Sequence, residues 1–137
     1  MVQQLEIRLP EYRRGFHLIT HVIESKLPDL PQKGIINIFL KHTSAALSLN
    51  ENADPTVRAD FENTMNRLIS ENESLYIHTL EGPEDMPAHI KSALFGTSLT
   101  IPITNHQLNL GTWQGIYLCE FRNHVGPRSI TITIIGE

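Results

Sequence analysis

The stretch GIINIFLKHTS, residues 34–44, sets the fold class of this chain. In an extended backbone, side chains alternate between faces. Ile36, Ile38, Leu40 and His42 therefore share one side, and Ile35, Asn37, Phe39 and Lys41 share the other. The apolar face runs directly into an ionisable residue. Immediately downstream, LSLNEN, residues 47–52, reads as a turn that returns Glu51 toward the same strand end.

Working outward, ADPTVRADFENTMNRLISEN, residues 53–72, carries the clearest helix pattern. Asp54 is placed to cap it, Pro55 suits the first helical position, and Val57, Phe61, Met65, Leu68 and Ile69 recur at helical spacing. A second helix is predicted in MPAHIKSALFG, residues 86–96, with Gly96 past its end and Asp85 reading as a capping residue at its start. A shorter helix is expected after Thr20, read as its N-cap and ended by Pro28. Strands are predicted in VQQLEIRL (2–9), SLYIHTLEG (74–82), TSLTIPI (97–103), GIYLCEFR (115–122) and RSITITII (128–135); the last sets Ile130, Ile132 and Ile134 on one face. Many strands with two or three short helices predict a single α+β domain over residues 1–137, framed by a twisted antiparallel β-sandwich.

Composition narrows the function classes. A chain of 137 residues buries a real core without staples, and its net charge of -4, with scattered Lys and Arg, argues against nucleic-acid binding. One cysteine allows no internal disulfide. With no secretory-type leader pattern and no long apolar run, a cytoplasmic protein that does not enter membranes is expected. Cys119 falls on the strand face opposite Glu120, as a core residue. Trp113 suits either ring stacking or packing.

The chemistry gathers at strand ends. On GIYLCEFR, Glu120 and Arg122 follow Ile116 and Leu118 on one face, so the two charges are expected to be neighbours, either as a solvated strand-end ion pair or with Arg122 holding an anion and Glu120 serving as base or metal ligand. Lys91 and Arg128 are further candidates for the anion. His42, His78 and His89 come from separate segments; if they converge, they make a three-histidine site for a divalent ion, zinc being favoured over magnesium. No organic cofactor is indicated. Ser44 follows His42 closely, but no G-x-S-x-G elbow surrounds it, so it reads as a hydrogen-bonding or anion-binding group.

HTSAALSLNEN, DPTVRAD, EGPEDMPAHIKSALFGTSLTIPI and LGTWQGIYLCEFR, in that order, resemble the successive signature blocks of the YjbQ-type family of secondary thiamine-phosphate synthases. The resemblance spans about Gly15 to Glu137. It implies an α+β fold containing a β-sandwich, a homotrimer, and a site drawn from His42, Thr43, Ser44, Asn50, Glu51, His78, His89, Gln114, Glu120 and Arg122. His42, Glu51 and Glu120 take the catalytic roles in this reading, and Thr43, Ser44, Asn50, Lys91, Gln114 and Arg122 bind the substrate. The implied reaction is weak: a hydroxymethylpyrimidine diphosphate and a thiazole phosphate give thiamine phosphate and diphosphate. The alternative is a trimeric metabolite- or anion-binding protein whose turnover is adventitious. The chain departs from the family pattern at His106 and Val125, where glycine is common.

Overall fold

The computed structural model describes residues 1–137. Two antiparallel sheets face each other. The larger has strand order β1-β8-β3-β5-β6, with β1 Val2–Arg8, β3 Lys33–Leu40, β5 Ser98–Thr104, β6 Gln107–Leu108 and β8 Ser129–Gly136; the smaller is β2-β7-β4, with β2 Gly15–Leu18, β4 Ala45–Glu51 and β7 Gln114–Glu120. The helices are α1 Thr20–Glu24, α2 Pro55–Leu68 and α3 Asp85–Phe95. This is a single α+β domain.

Strand alternation builds the layers. Ile36, Ile38 and Leu40 of β3 and Ile130, Ile132 and Ile134 of β8 meet Ala45 and Leu47 of β4 and Ile116 and Leu118 of β7 in the main core between the sheets. The opposite face of the small sheet offers Ala46, Tyr117 and Cys119, which with Phe16, Ala88 and Phe121 form a second core under Phe61 and Met65 of α2 and Phe95 at the end of α3. The small sheet is therefore covered on both faces. The outer face of the large sheet leaves Ile35, Phe39 and Ile135 exposed. No helix is long and apolar enough to cross a membrane.

The predicted α2 is present, with Asp54 accepting the Thr56 N–H at 2.9 Å and Pro55 at its start. Three local expectations are corrected. Residues 47–51 are not a turn: they belong to β4, whose register with β7 runs from Ala45↔Glu120 to Glu51↔Gln114, because Leu47 and Leu49 reach the inter-sheet core. SLYIHTLEG is not a strand. Asn72 accepts the Ser74 N–H and opens a single 3₁₀ turn, Glu73–Leu75, after which Ile77 and Leu80 stand fully exposed with no neighbouring strand. Thr20 does not cap α1; it is the first helical residue, and its Oγ1 accepts the Ile116 N–H at 2.9 Å, tying α1 to β7. At 105–106, Asn105 and His106 both have positive φ (52° and 65°), so His106 occupies the left-handed geometry that glycine adopts without strain.

Candidate functional site

Asp85 opens α3, yet it caps nothing: the N-cap is Glu84, without a side-chain cap bond. The Asp85 carboxylate is 1% exposed and is the point on which three side chains converge. His78 Nε2 lies 2.6 Å and His89 Nε2 3.2 Å from Oδ2, and Arg122 Nη1 lies 2.7 Å from Oδ1. That last contact is a charge contact without hydrogen-bond alignment, so Oδ1 keeps an unspent lone pair. Helical spacing explains half of this cluster: Asp85 and His89 are four apart and share one face of α3. The irregular chain before α3 supplies His78, and the segment after β7 supplies Arg122.

The neighbouring groups fix the orientation. Arg122 also donates through Nε to Glu84 Oε2 at 3.1 Å and through Nη2 to the Glu81 carbonyl at 3.2 Å. Burial pushes the Asp85 carboxyl upward, but the His78 hydrogen bond and the charge of Arg122 outweigh it, and the group sits below its ordinary value. Glu84 behaves alike: burial raises it, and the bonds from Arg122 and the Asn123 N–H bring it below the ordinary value. His89 Nδ1 donates to the Thr43 carbonyl at 2.8 Å, which joins the cluster to the end of β3.

The three-histidine arrangement is therefore corrected within this chain. His78 and His89 come together, but Asp85 takes the third place. His42 Nε2 instead accepts the Ser129 N–H at 2.8 Å. His42 still shares an open cleft of about 670 Å³ with His89, Thr43, Phe39 and Ser92, so His89 forms a wall between cleft and carboxylate. A hollow of about 760 Å³ between residues 24–30 and 106–108 is larger, but none of this cluster reaches it.

The expected Glu120–Arg122 neighbourhood is also corrected. Glu120 is buried and takes both prongs of Arg128, while Arg122 gives Glu120 only its backbone N–H, at 3.1 Å, and turns its guanidinium to α3. The strand ends at Glu120, so residue 122 no longer follows its alternation. Ser44 Oγ accepts from Arg128 Nη2 at 3.0 Å.

The remaining candidates lie elsewhere. Glu51 Oε2 accepts the N–H groups of Ala53 and Asp54 at 2.7 and 2.8 Å, Asn50 Oδ1 accepts the Glu51 N–H, and Gln114 Oε1 accepts the Gly111 N–H. All three sit at the far end of the β4–β7 pair, six residues or roughly 20 Å from Glu120. Lys91 is two residues beyond His89, about 200° around the helix. Its ammonium is buried on the α2 side, donating to Asn66 Oδ1 at 2.8 Å. Cys119 is a buried thiol pushed far up by desolvation. The residues missed at the sequence level are Asp85 as a hub, Glu84 as the Arg122 partner and Arg128 as the Glu120 partner; the D-x-x-x-H spacing of 85–89 was the available signal.

A family model described as UPF0047 protein YjbQ-like matches residues 4–137. The UPF0047 protein YjbQ of Salmonella typhimurium is 51% identical over 139 residues, covering 100% of both chains. The UPF0047 protein YugU of Bacillus subtilis is 38% identical, covering 85% of this chain and 84% of its own. Among solved structures, a YbjQ-like protein of unknown function from Sulfolobus solfataricus superposes with a TM-score of 0.85 at 26% identity, covering 100% of this chain and 99% of that one. A yjbq/upf0047 family protein from Clostridium acetobutylicum gives 0.79 at 34% identity, with 96% and 99% covered.

Proposed function

The chain belongs to the UPF0047 YjbQ-like family, and from that membership and the geometry around Asp85 we propose that it is an enzyme of small phosphorylated metabolites, a weak thiamine-phosphate synthase. The carrying observation is the convergence of His78, His89 and Arg122 on one buried carboxylate beside an open cleft. Two imidazoles and a guanidinium at a buried acid give proton carriers and an anion partner in one place.

In the proposed reaction, the thiazole nitrogen attacks the methylene carbon of the pyrimidine diphosphate. A C–N bond forms as the C–O bond to diphosphate breaks, and diphosphate leaves with the electron pair. His89 is oriented by the Thr43 carbonyl and Asp85 to protonate the leaving oxygen, and Arg122 exchanges part of its contact with Glu84 for phosphate. This reading gives Glu120 a framework role, since Arg128 engages both its oxygens, and gives Glu51 the turn before α2. A homotrimer is part of the proposal, supported by the exposed Leu75, Ile77 and Leu80 around His78 and by Ile35, Phe39 and Ile135 on the outer sheet face.

Steady-state synthase assays on folded His89→Ala test the assignment. Turnover should fall about 10²- to 10⁴-fold. Unchanged turnover sinks it, and calorimetric binding of a thiazole phosphate without any turnover in the parent protein establishes the binding-protein alternative.

A further inference from the structure

We infer that His78 Nε2, Asp85 Oδ2 and His89 Nε2 form a divalent transition-metal site of the zinc class. The Thr43 carbonyl can only accept, so His89 Nδ1 carries the proton in the bond between them. In the neutral ring, Nε2 then presents a lone pair to Asp85 Oδ2, itself an acceptor, at 3.2 Å. Two acceptors held at that distance by a helix and a backbone carbonyl need a proton or a cation between them.

Three features favour the cation. The His89–Asp85 separation of 3.2 Å is close to the edge of a tetrahedron with metal–ligand bonds of about 2.0–2.1 Å. A carbonyl fixing the far ring nitrogen is the outer-sphere arrangement that metal-binding histidines use to set tautomer and aim. Arg122 sits against Oδ1, leaving Oδ2 as the single oxygen facing both imidazoles. The candidate ligand atoms of the three residues all lie within 4.8 Å of one another.

His78 is the ligand that must adjust. Its 2.6 Å contact is a hydrogen bond and too short for two ligands on one ion, and its ring, 47% exposed on irregular chain, has room to withdraw by several tenths of an ångström. The N-terminus of α3 favours anions, so a cation here is held by donors and not by the helix field. Three protein ligands leave a fourth position open, which suits water or a phosphate oxygen. The ligand set requires neither substrate nor turnover; with the ion on Nε2 and the Thr43 carbonyl on Nδ1, His89 has no proton to give, so its proton step in the synthase reading belongs to the metal-free protein.

Untagged protein stripped with chelator and titrated with Co²⁺ tests the site by calorimetry and visible absorption. One equivalent should bind with the intense d–d bands of four-coordinate cobalt and be displaced by Zn²⁺. His78→Ala and His89→Ala, each confirmed folded by circular dichroism, should each weaken binding about tenfold or more. His42→Ala and His106→Ala should leave it unchanged. No stoichiometric binding, or binding that survives both His78→Ala and His89→Ala, overturns the site and assigns the His89–Asp85 contact to an imidazolium. Stoichiometric metal in a protein without synthase turnover leaves the site standing and removes only the synthase reading.

Discussion

Glu120 and Arg128 form a buried, two-pronged ion pair, with Arg128 Nε 2.7 Å from Oε1 and Nη2 2.6 Å from Oε2. Glu120 ends β7 of the small sheet, and Arg128 immediately precedes β8 of the large one, so the pair bolts the two sheets together at one end. Ser44, just before β4, completes the clamp by accepting from Nη2 through its hydroxyl and its carbonyl.

Breaking one side of this clamp should cost stability before it costs chemistry. Removing one partner of a buried pair leaves an uncompensated charge, and losses run to about 3–5 kcal/mol. Arg128→Lys keeps the charge but not the planar fork, so it should lose a substantial part of that. Replacing both partners, as in Glu120→Leu with Arg128→Met, should cost less than the single changes summed. Urea denaturation of the parent, Arg128→Lys, Glu120→Leu, Arg128→Met and the double variant reads all of this. A Glu120→Gln variant of parental stability but greatly reduced turnover would return Glu120 to a chemical role.

His42 gives a pH signature on the acid side. Burial lowers its affinity for a proton, and the positive charge of Arg128 adds to this, so its pKa in the fold lies below 6.5. The hydrogen bond agrees: the Ser129 N–H can only donate, and a proton on Nε2 would break it. Below pH 6.5 the unfolded chain binds a proton that the folded chain refuses, so stability falls as pH drops from there through the lower folded value. His42→Gln, which keeps an acceptor but cannot titrate, should abolish this part of the slope when denaturation is followed from pH 7.5 to 5. Parallel slopes for parent and variant would reject it.

The frame was legible because its signals are local. Alternation in β3 and β8 and the Asp54–Pro55 start of α2 depend on neighbours in sequence, and the structure has them where they were expected. The site was less legible because its partners are set by the end of alternation. Once β7 stops at Glu120, nothing in the sequence says that Arg122 swings to α3 while Arg128 returns to Glu120 across the following turn. The strand expected at 74–82 failed for a related reason. An apolar run makes a strand only if a partner edge is free, and Asn72 diverts the backbone first.

Lys91 supplies the alkaline counterpart. Its ammonium is buried between α3 and α2, 2.8 Å from Asn66 Oδ1 and 5.6 Å from the Phe121 ring centroid. Burial, helped by the positive charge of Arg14, lowers its pKa from 10.5 to about 8, against the smaller pull of Glu71 and Glu62. The sign follows from proton counting. Between pH 8 and 10.5 the unfolded chain still holds a proton that the folded chain has released, so this group makes stability rise with pH across that window and penalises the fold below it. Lys91→Met retains the apolar stem and removes the charge, so it should leave stability at pH 7 equal to or above that of the parent and flatten the rise between pH 8 and 9.5. The upper bound stays below 10 because burial also raises the phenols of Tyr12 and Tyr117, whose resistance to ionisation lowers stability with pH from about 10 upward. Urea midpoints for both proteins at half-unit pH steps check the assignment. A variant that is less stable at pH 7 and keeps the parental slope would mean that the ammonium is well solvated or better paired than its contact with Asn66 implies.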